Sequence, residues 1–149
     1  MEKPINIGNK TIDASDVHLI RELTPERLAT LSTTGKNFTV EIRSLGGGGG
    51  FVEDLSLKEV VAAFSAMGEH LTVLPNSGDG PQEAARLGWV RSAKDFNSRP
   101  DQPVKYGSVV TFENPKGATA EEWLGAKRTD VIPNAPSLAS LAGGPGSGR

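Results

Sequence analysis

The stretch NFTVEIRSLGGGGGFVED, residues Asn37 to Asp54, decides how the rest of the chain is read. In its first half Phe38, Val40 and Ile42 alternate with Thr39, Glu41 and Arg43, the period of two that marks a strand. One face is apolar and the other polar, as expected of an antiparallel or edge strand with one side buried and the other wet. Five glycines, Gly46 to Gly50, follow directly. Glycine loses more backbone entropy on ordering than any other residue, so the run reads as a mobile loop or hairpin tip.

A phosphate cradle is the competing reading, because strand, glycines and helix in that order can build an anion site at a helix N-terminus. The spacing departs from the two common forms. Phe51, Val52, Glu53 and Asp54 follow the run where a P-loop needs Gly-Lys-Ser/Thr, and Phe51 stands where a dinucleotide loop starting at Gly46 needs its third glycine. Arg43-Ser-Leu-Gly46-Gly-Gly48 has the form R-x-x-G-x-G and resembles the acetyl-CoA loop of GNAT-type acetyltransferases, whose backbone amides hold the pyrophosphate. The resemblance covers six residues. It implies a small acyl-CoA- or nucleotide-using enzyme, with Arg43 and the amides of Gly46 to Gly50 holding the cofactor. In that family the helix begins within the loop, whereas here FVEDL intervenes before Ser56.

Toward the N-terminus, Ile5, Ile7, Ile12, Val17 and Leu19 fall on alternating positions broken by Gly8 and Asn9, which predicts short strands. Thr24 is a good N-cap with Pro25 in the first helical position, and Gly35 closes that short helix. Toward the C-terminus, Ser56 and Glu59 form a capping box. Leu57, Val60, Val61, Phe64 and Met67 trace one apolar helix face, and Gly68 stops it. Leu71 and Val73, in phase, predict a strand ended by Pro75. PQEAARLG predicts a short helix ending at Gly88, and YGSVVTFENPKG a strand with its turn. A further short helix is expected from a Thr119 cap with Glu122 at the box position. The sum is an α+β fold: a small, mostly antiparallel sheet with two to four short helices over residues 1–128, including the Gly-rich loop at 45–51, then an extended C-terminal arm over 129–149.

Composition narrows the function classes. The chain has 149 residues, a net charge of −2, no cysteine, 18 glycines and 10 prolines. That is enough for one modest core with long irregular segments. No global field draws the protein to nucleic acid or to an anionic membrane. Without cysteine there is no disulfide framework, thiolate nucleophile or cysteine-based zinc site. The start MEKPINIGNK lacks the apolar region of a Sec signal, and no stretch is long and apolar enough to span a membrane, so a virion or cytoplasmic location is expected.

Candidate sites are few. Asp13, Asp16 and His18 could offer three metal ligands from one segment, but they match no ligand spacing and read as a solvated turn. No catalytic residue, cofactor or metal is expected. Arg86, Arg91, Lys94, Arg99 and Lys105 stand against Asp95 and Asp101, with Trp89, Phe96 and Tyr106 interleaved, which is the alternative reading of a regulatory or nucleic-acid-binding module. The arm has no charged residue between Asp130 and Arg149 and holds three prolines and four glycines. Such a segment stays extended without a core of its own.

The leading expectation is therefore a non-catalytic structural or accessory subunit of a large assembly. A bacteriophage virion component, such as a capsid decoration or head–tail connector subunit, is its natural home. Protein partners would touch Gly46, Gly48, Gly50 and Phe51 of the loop and Ile132, Pro133, Pro136, Leu138 and Leu141 of the arm.

Overall fold

The alternation around Val40 and Ile42 is realised as the second strand of a five-stranded antiparallel sheet in a computed structural model of the chain. The structure describes residues 2–8, 10–31, 36–75, 81–97, 99–101 and 106–132. In chain order the large sheet contains β3 (Val17–Glu22), β4 (Phe38–Ser44), β5 (Gly50–Glu53), β6 (Thr72–Val73) and β7 (Glu83–Ala85). Their order across the sheet is β5-β4-β3-β7-β6. Two smaller antiparallel sheets flank it: the hairpin β1 (Pro4–Ile7) and β2 (Lys10–Asp13), and a three-stranded sheet of β8 (Val90–Asp95), β9 (Ser108–Glu113) and β10 (Thr119–Leu124). The helices are α1 (Pro25–Leu28), α2 (Leu57–Ser65) and α3 (Arg128–Val131). The expected α+β architecture is the observed one.

Two cores follow from the two faces of the large sheet. On one face Val40, Ile42, Val52, Ile20 and Ala84 pack beneath Leu57, Val60 and Phe64 of α2 and against Ile5, Ile7 and Ile12 of the first hairpin. The helix is built as its sequence directs. Ser56 accepts the Glu59 amide while the Glu59 carboxylate accepts the Ser56 amide, and Gly68 beyond the last turn takes φ +82°. Val61 and Met67 are only partly buried at the edge of this core. On the opposite face Leu19, Leu74 and Ala85 meet Val110, Phe112 and Leu124 of the three-stranded sheet, with Val131 of α3 closing the end.

Several expectations need correction. The segment PQEAARLG is not a helix: Glu83–Ala85 is strand β7, wholly buried and paired with β3 through Leu19↔Ala85, Ile20↔Ala84 and Arg21↔Glu83. Helix-favouring residues yield here because two strands and two cores surround them. Thr119 does not cap a helix either. The Asn114 side chain accepts the amides of Lys116 and Ala118, tightening a turn that folds Thr119–Leu124 back on β9 as strand β10. Beside Pro75 the buried pair is Leu71 and Leu74, and Val73 is exposed. The Gly35 stop lies outside the described residues. Val131 is buried in the second core, so the folded part extends past position 128. Among the described residues no helix is long and apolar enough to cross a membrane.

Candidate partner-binding surface

The polar face of β4 is partly covered, with Glu41 buried and Arg43 still reaching solvent. Glu41 and Arg43 project toward the three-stranded sheet, and the Glu122 side chain of β10 projects back. Arg43 Nε donates to Glu122 Oε2 at 2.6 Å, and Arg43 Nη1 donates to Glu41 at 3.2 Å. A register shift between Val17 and Leu19 brings a fourth residue to the group of Glu41, Arg43 and Glu122. The bulge turns His18 toward the small sheet, and a bulge commonly re-aims a side chain in this way. His18 Nε2 lies 2.7 Å from the same Glu122 oxygen, and the ring is tilted against Phe112 at 5.0 Å between centroids. His18 and Glu122 are 2% and 5% exposed. Beside them Arg21 reaches Glu83 at 3.0 Å, and the Gly125 amide donates to the other Glu83 oxygen.

These carboxyls respond to burial in opposite ways. Burial alone raises Glu122, but the bonds from His18 and Arg43 outweigh it and hold the group below its ordinary value. Burial wins at Glu83, which is raised despite Arg21 and Gly125. Arg43, pulled down by burial, is raised on balance by Glu122 and Glu41. Glu122 clasps the two sheets together through His18 and Arg43, whereas Arg21–Glu83 and Arg43–Glu41 tie neighbouring groups within the large sheet. His18 Nδ1 is buried without a hydrogen-bond partner among the described residues.

Beside these clasps, along one side of β10, run two adjoining clefts of about 380 and 390 Å³. The first lies between Thr119–Glu122 of β10 and the tip of the β4–β5 hairpin, where Gly47, Gly49, Gly50 and Phe51 line it. The second lies between Glu121–Trp123 and the arginines Arg21, Arg27 and Arg43. Trp123 is 43% exposed, and among the described residues only Val73 is a second large apolar side chain left open. Phe51, by contrast, is half-buried against Phe38 and beneath Arg27.

The glycine run is the hairpin tip that its composition suggested, with specific steric demands. Gly47 adopts φ +80°, and a Cβ at Gly49 would collide with the Ile42 carbonyl oxygen. No helix begins in the run, and Arg43 turns to two carboxylates, so the arrangement required of an acetyl-CoA loop is not formed.

The remaining predicted sites disperse. Of the expected loop contacts, Gly50 and Phe51 line the first cleft, Gly48 is exposed at the tip, and Gly46 packs against Asp16. Ile132 is partly buried on the second core. Pro133, Pro136, Leu138 and Leu141 lie outside the described residues, as does Lys105. Arg86 is turned inward, donating to Val17 O, Ala14 O and Glu69 and stacking on Trp89 at 4.3 Å. Arg91 pairs with Glu113, Arg99 lies 3.5 Å from Asp101, and Lys94 is exposed on β8. The basic segment therefore does not converge on one face through Arg86. Asp13 accepts from the Ser15 hydroxyl and from the Ser15, Lys3 and Glu2 amides, which hold its carboxyl down at about 2. His18 faces Glu122 instead, and among the described residues no cluster of His, Asp and Glu is placed to hold a metal.

Sequence reasoning read His18 as a possible metal ligand and Glu122 as a capping-box residue, missing their pairing, and did not single out Trp123. Comparison with protein-family models, with curated proteins and with solved structures finds no match to this chain.

Proposed function

We propose that this chain is a non-catalytic accessory subunit of a larger protein assembly, working through the surface along β10. The observation that carries the reading is the exposed Trp123 beside an arginine-lined cleft at the rim of the small sheet. Tryptophan and arginine are the side chains most often found at the energetic centre of protein interfaces. The ionisable groups behind that surface are engaged with one another, His18 and Arg43 with Glu122 across the two sheets and Arg21 with Glu83 within the large one, which suits a scaffold. A bacteriophage virion component of the capsid-decoration or head–tail connector type is the assembly in view. Its support is architectural: a small domain followed by a proline- and glycine-rich segment up to residue 149.

Light scattering on the full-length chain at micromolar concentration, paired with an acetyl-CoA titration, tests the reading. It expects a defined multiple of 15.7 kDa and no binding heat. A monomer that binds acetyl-CoA would overturn it in favour of a cofactor-using enzyme.

A further inference from the structure

We propose that the outer edge of β10 takes up an extended segment of a partner protein as a fourth strand of the small sheet, and that this segment carries a carboxylate for the arginines beside it. The proposal rests on the accessory reading above and supplies its docking site.

The backbone sets the kind of occupant. Asn114 N donates to Ala118 O, and the register then runs Phe112↔Ala120, Thr111↔Glu121, Val110↔Glu122. Bonded and non-bonded pairs alternate along an antiparallel ladder, so Ala120 and Glu122 bond to β9 while Thr119, Glu121 and Trp123 turn their backbone groups outward. Only one of these has a partner among the described residues: Trp123 O accepts Arg21 Nη2 at 2.5 Å. Thr119 and Glu121 thus offer a donor and an acceptor each and Trp123 its N–H, at a spacing of about 7 Å, which an extended backbone matches and a helix does not.

The charge beside the edge sets the side chain. The clefts along β10 contain two buried carboxylates, Glu41 and Glu122, already held by arginine and histidine. Arg27 and Arg43, in contrast, are 46% and 41% exposed. Arg43 gives Nε and Nη1 to the two glutamates and leaves Nη2 without a partner among the described residues. Arg27 Nη2 stands 3.8 Å from Glu41, far enough for a closer oxygen to displace that contact. Among the described residues Glu121 is the one exposed carboxylate lining these two clefts. An incoming acidic side chain therefore meets guanidinium groups, whose forked donors suit carboxylates. The chain's own residues 133–149 contain no Asp or Glu and include three prolines, which lack the N–H that a ladder needs. That composition favours a separate partner.

The test selects binders of the full-length protein from a displayed library of random dodecapeptides. Enriched peptides should be rich in β-branched residues, carry Asp or Glu and lack Pro in their pairing stretch. Glu121→Pro removes one outward N–H without touching the β9 ladder and should weaken them about tenfold, with thermal stability retained. Arg27→Glu should weaken them severalfold and decides the charge claim even if the proline variant fails to fold. No enrichment, enrichment of basic or proline-rich peptides, or binding indifferent to both substitutions would overturn the site. A synthetic 133–149 peptide that competes at β10 would overturn the assignment to a partner. Light scattering on the same sample separates the two readings. A multimer that selects no peptide refutes the β10 site alone, and a monomer that selects acidic peptides through β10 supports it while refuting self-assembly.

Discussion

The two faces of the five-stranded sheet are built on different physics. Beneath α2 the contacts are apolar, and each of Val40, Val60 and Phe64 is fully buried. Beneath the three-stranded sheet, an apolar half around Leu19, Phe112 and Leu124 adjoins a half held by His18–Glu122–Arg43 and Arg21–Glu83. The first face stabilises through removal of surface from water, which is non-directional and tolerant of sequence. The second fixes how one sheet sits on another through charged hydrogen bonds, whose cost appears when one partner is removed. Its rim also carries the edge of β10, with arginines beside it.

Breaking the apolar face should have the largest effect. Phe64→Ala leaves a cavity at the centre of the first core and should cost about 3–5 kcal/mol in denaturant unfolding, at any pH where the protein folds. A loss under about 1 kcal/mol would mean that α2 does not seal this core.

Breaking the clasp comes next, at about 2 kcal/mol for Glu122→Gln near neutral pH. This loss should depend on pH. Glu122 is held below its ordinary value of 4.5 in the fold, so its stabilisation is present above 4.5 and drains away as pH falls through the lower folded value. The stability difference between wild type and Glu122→Gln should therefore shrink on acidification below about 4.5. Glu83 sharpens the comparison because its sign is reversed. It is raised by burial, so its contribution is complete below 4.5 and is lost as pH rises through the folded value. The pH dependence removed by Glu83→Gln should slope the opposite way. Parallel slopes for the two variants would show that burial and pairing are not divided between them as described.

The smallest effect belongs to a local feature of the apolar side. Ser56→Ala removes one arm of the capping box and should cost about 1 kcal/mol, with no pH signature tied to the clasp. An unchanged melting temperature would mean that the first turn of α2 is held by packing alone.

The same contrast explains what was legible in the sequence. The apolar face could be read because its signals are local: alternation through Phe38, Val40 and Ile42, the box of Ser56 and Glu59, and the stop at Gly68. The clasp face could not. Glu122 lies 104 residues from His18 and 79 from Arg43, so no window contains the pair that lets it sit inside. Its inward row, Ala120, Glu122 and Leu124, has a carboxylate in the middle and therefore looks like no strand. Thr119 and Glu122 imitate a capping box instead, and Glu83, Ala84 and Ala85 imitate a helix until β3 pairs with them. Composition reads the glycine run as a mobile loop or hairpin tip, and the structure makes it the tip of the β4–β5 hairpin. The close approach of Gly49 to Ile42 and the positive φ of Gly47 depend on contacts that composition does not reveal. Trp123 is exposed because it points from β10 away from the large sheet, opposite to the buried Glu122 and Leu124, and which face is left uncovered is a property of sheet packing rather than of spacing.

Amide hydrogen exchange across Thr119–Leu124 in the free full-length protein tests the central claim most directly. The account predicts alternation: Ala120 and Glu122 protected by β9, with Thr119, Glu121 and Trp123 exchanging quickly from an open edge. Uniform protection along the strand would contradict it, because the edge would already be covered, and uniform rapid exchange would mean that β10 is not paired with β9 at all.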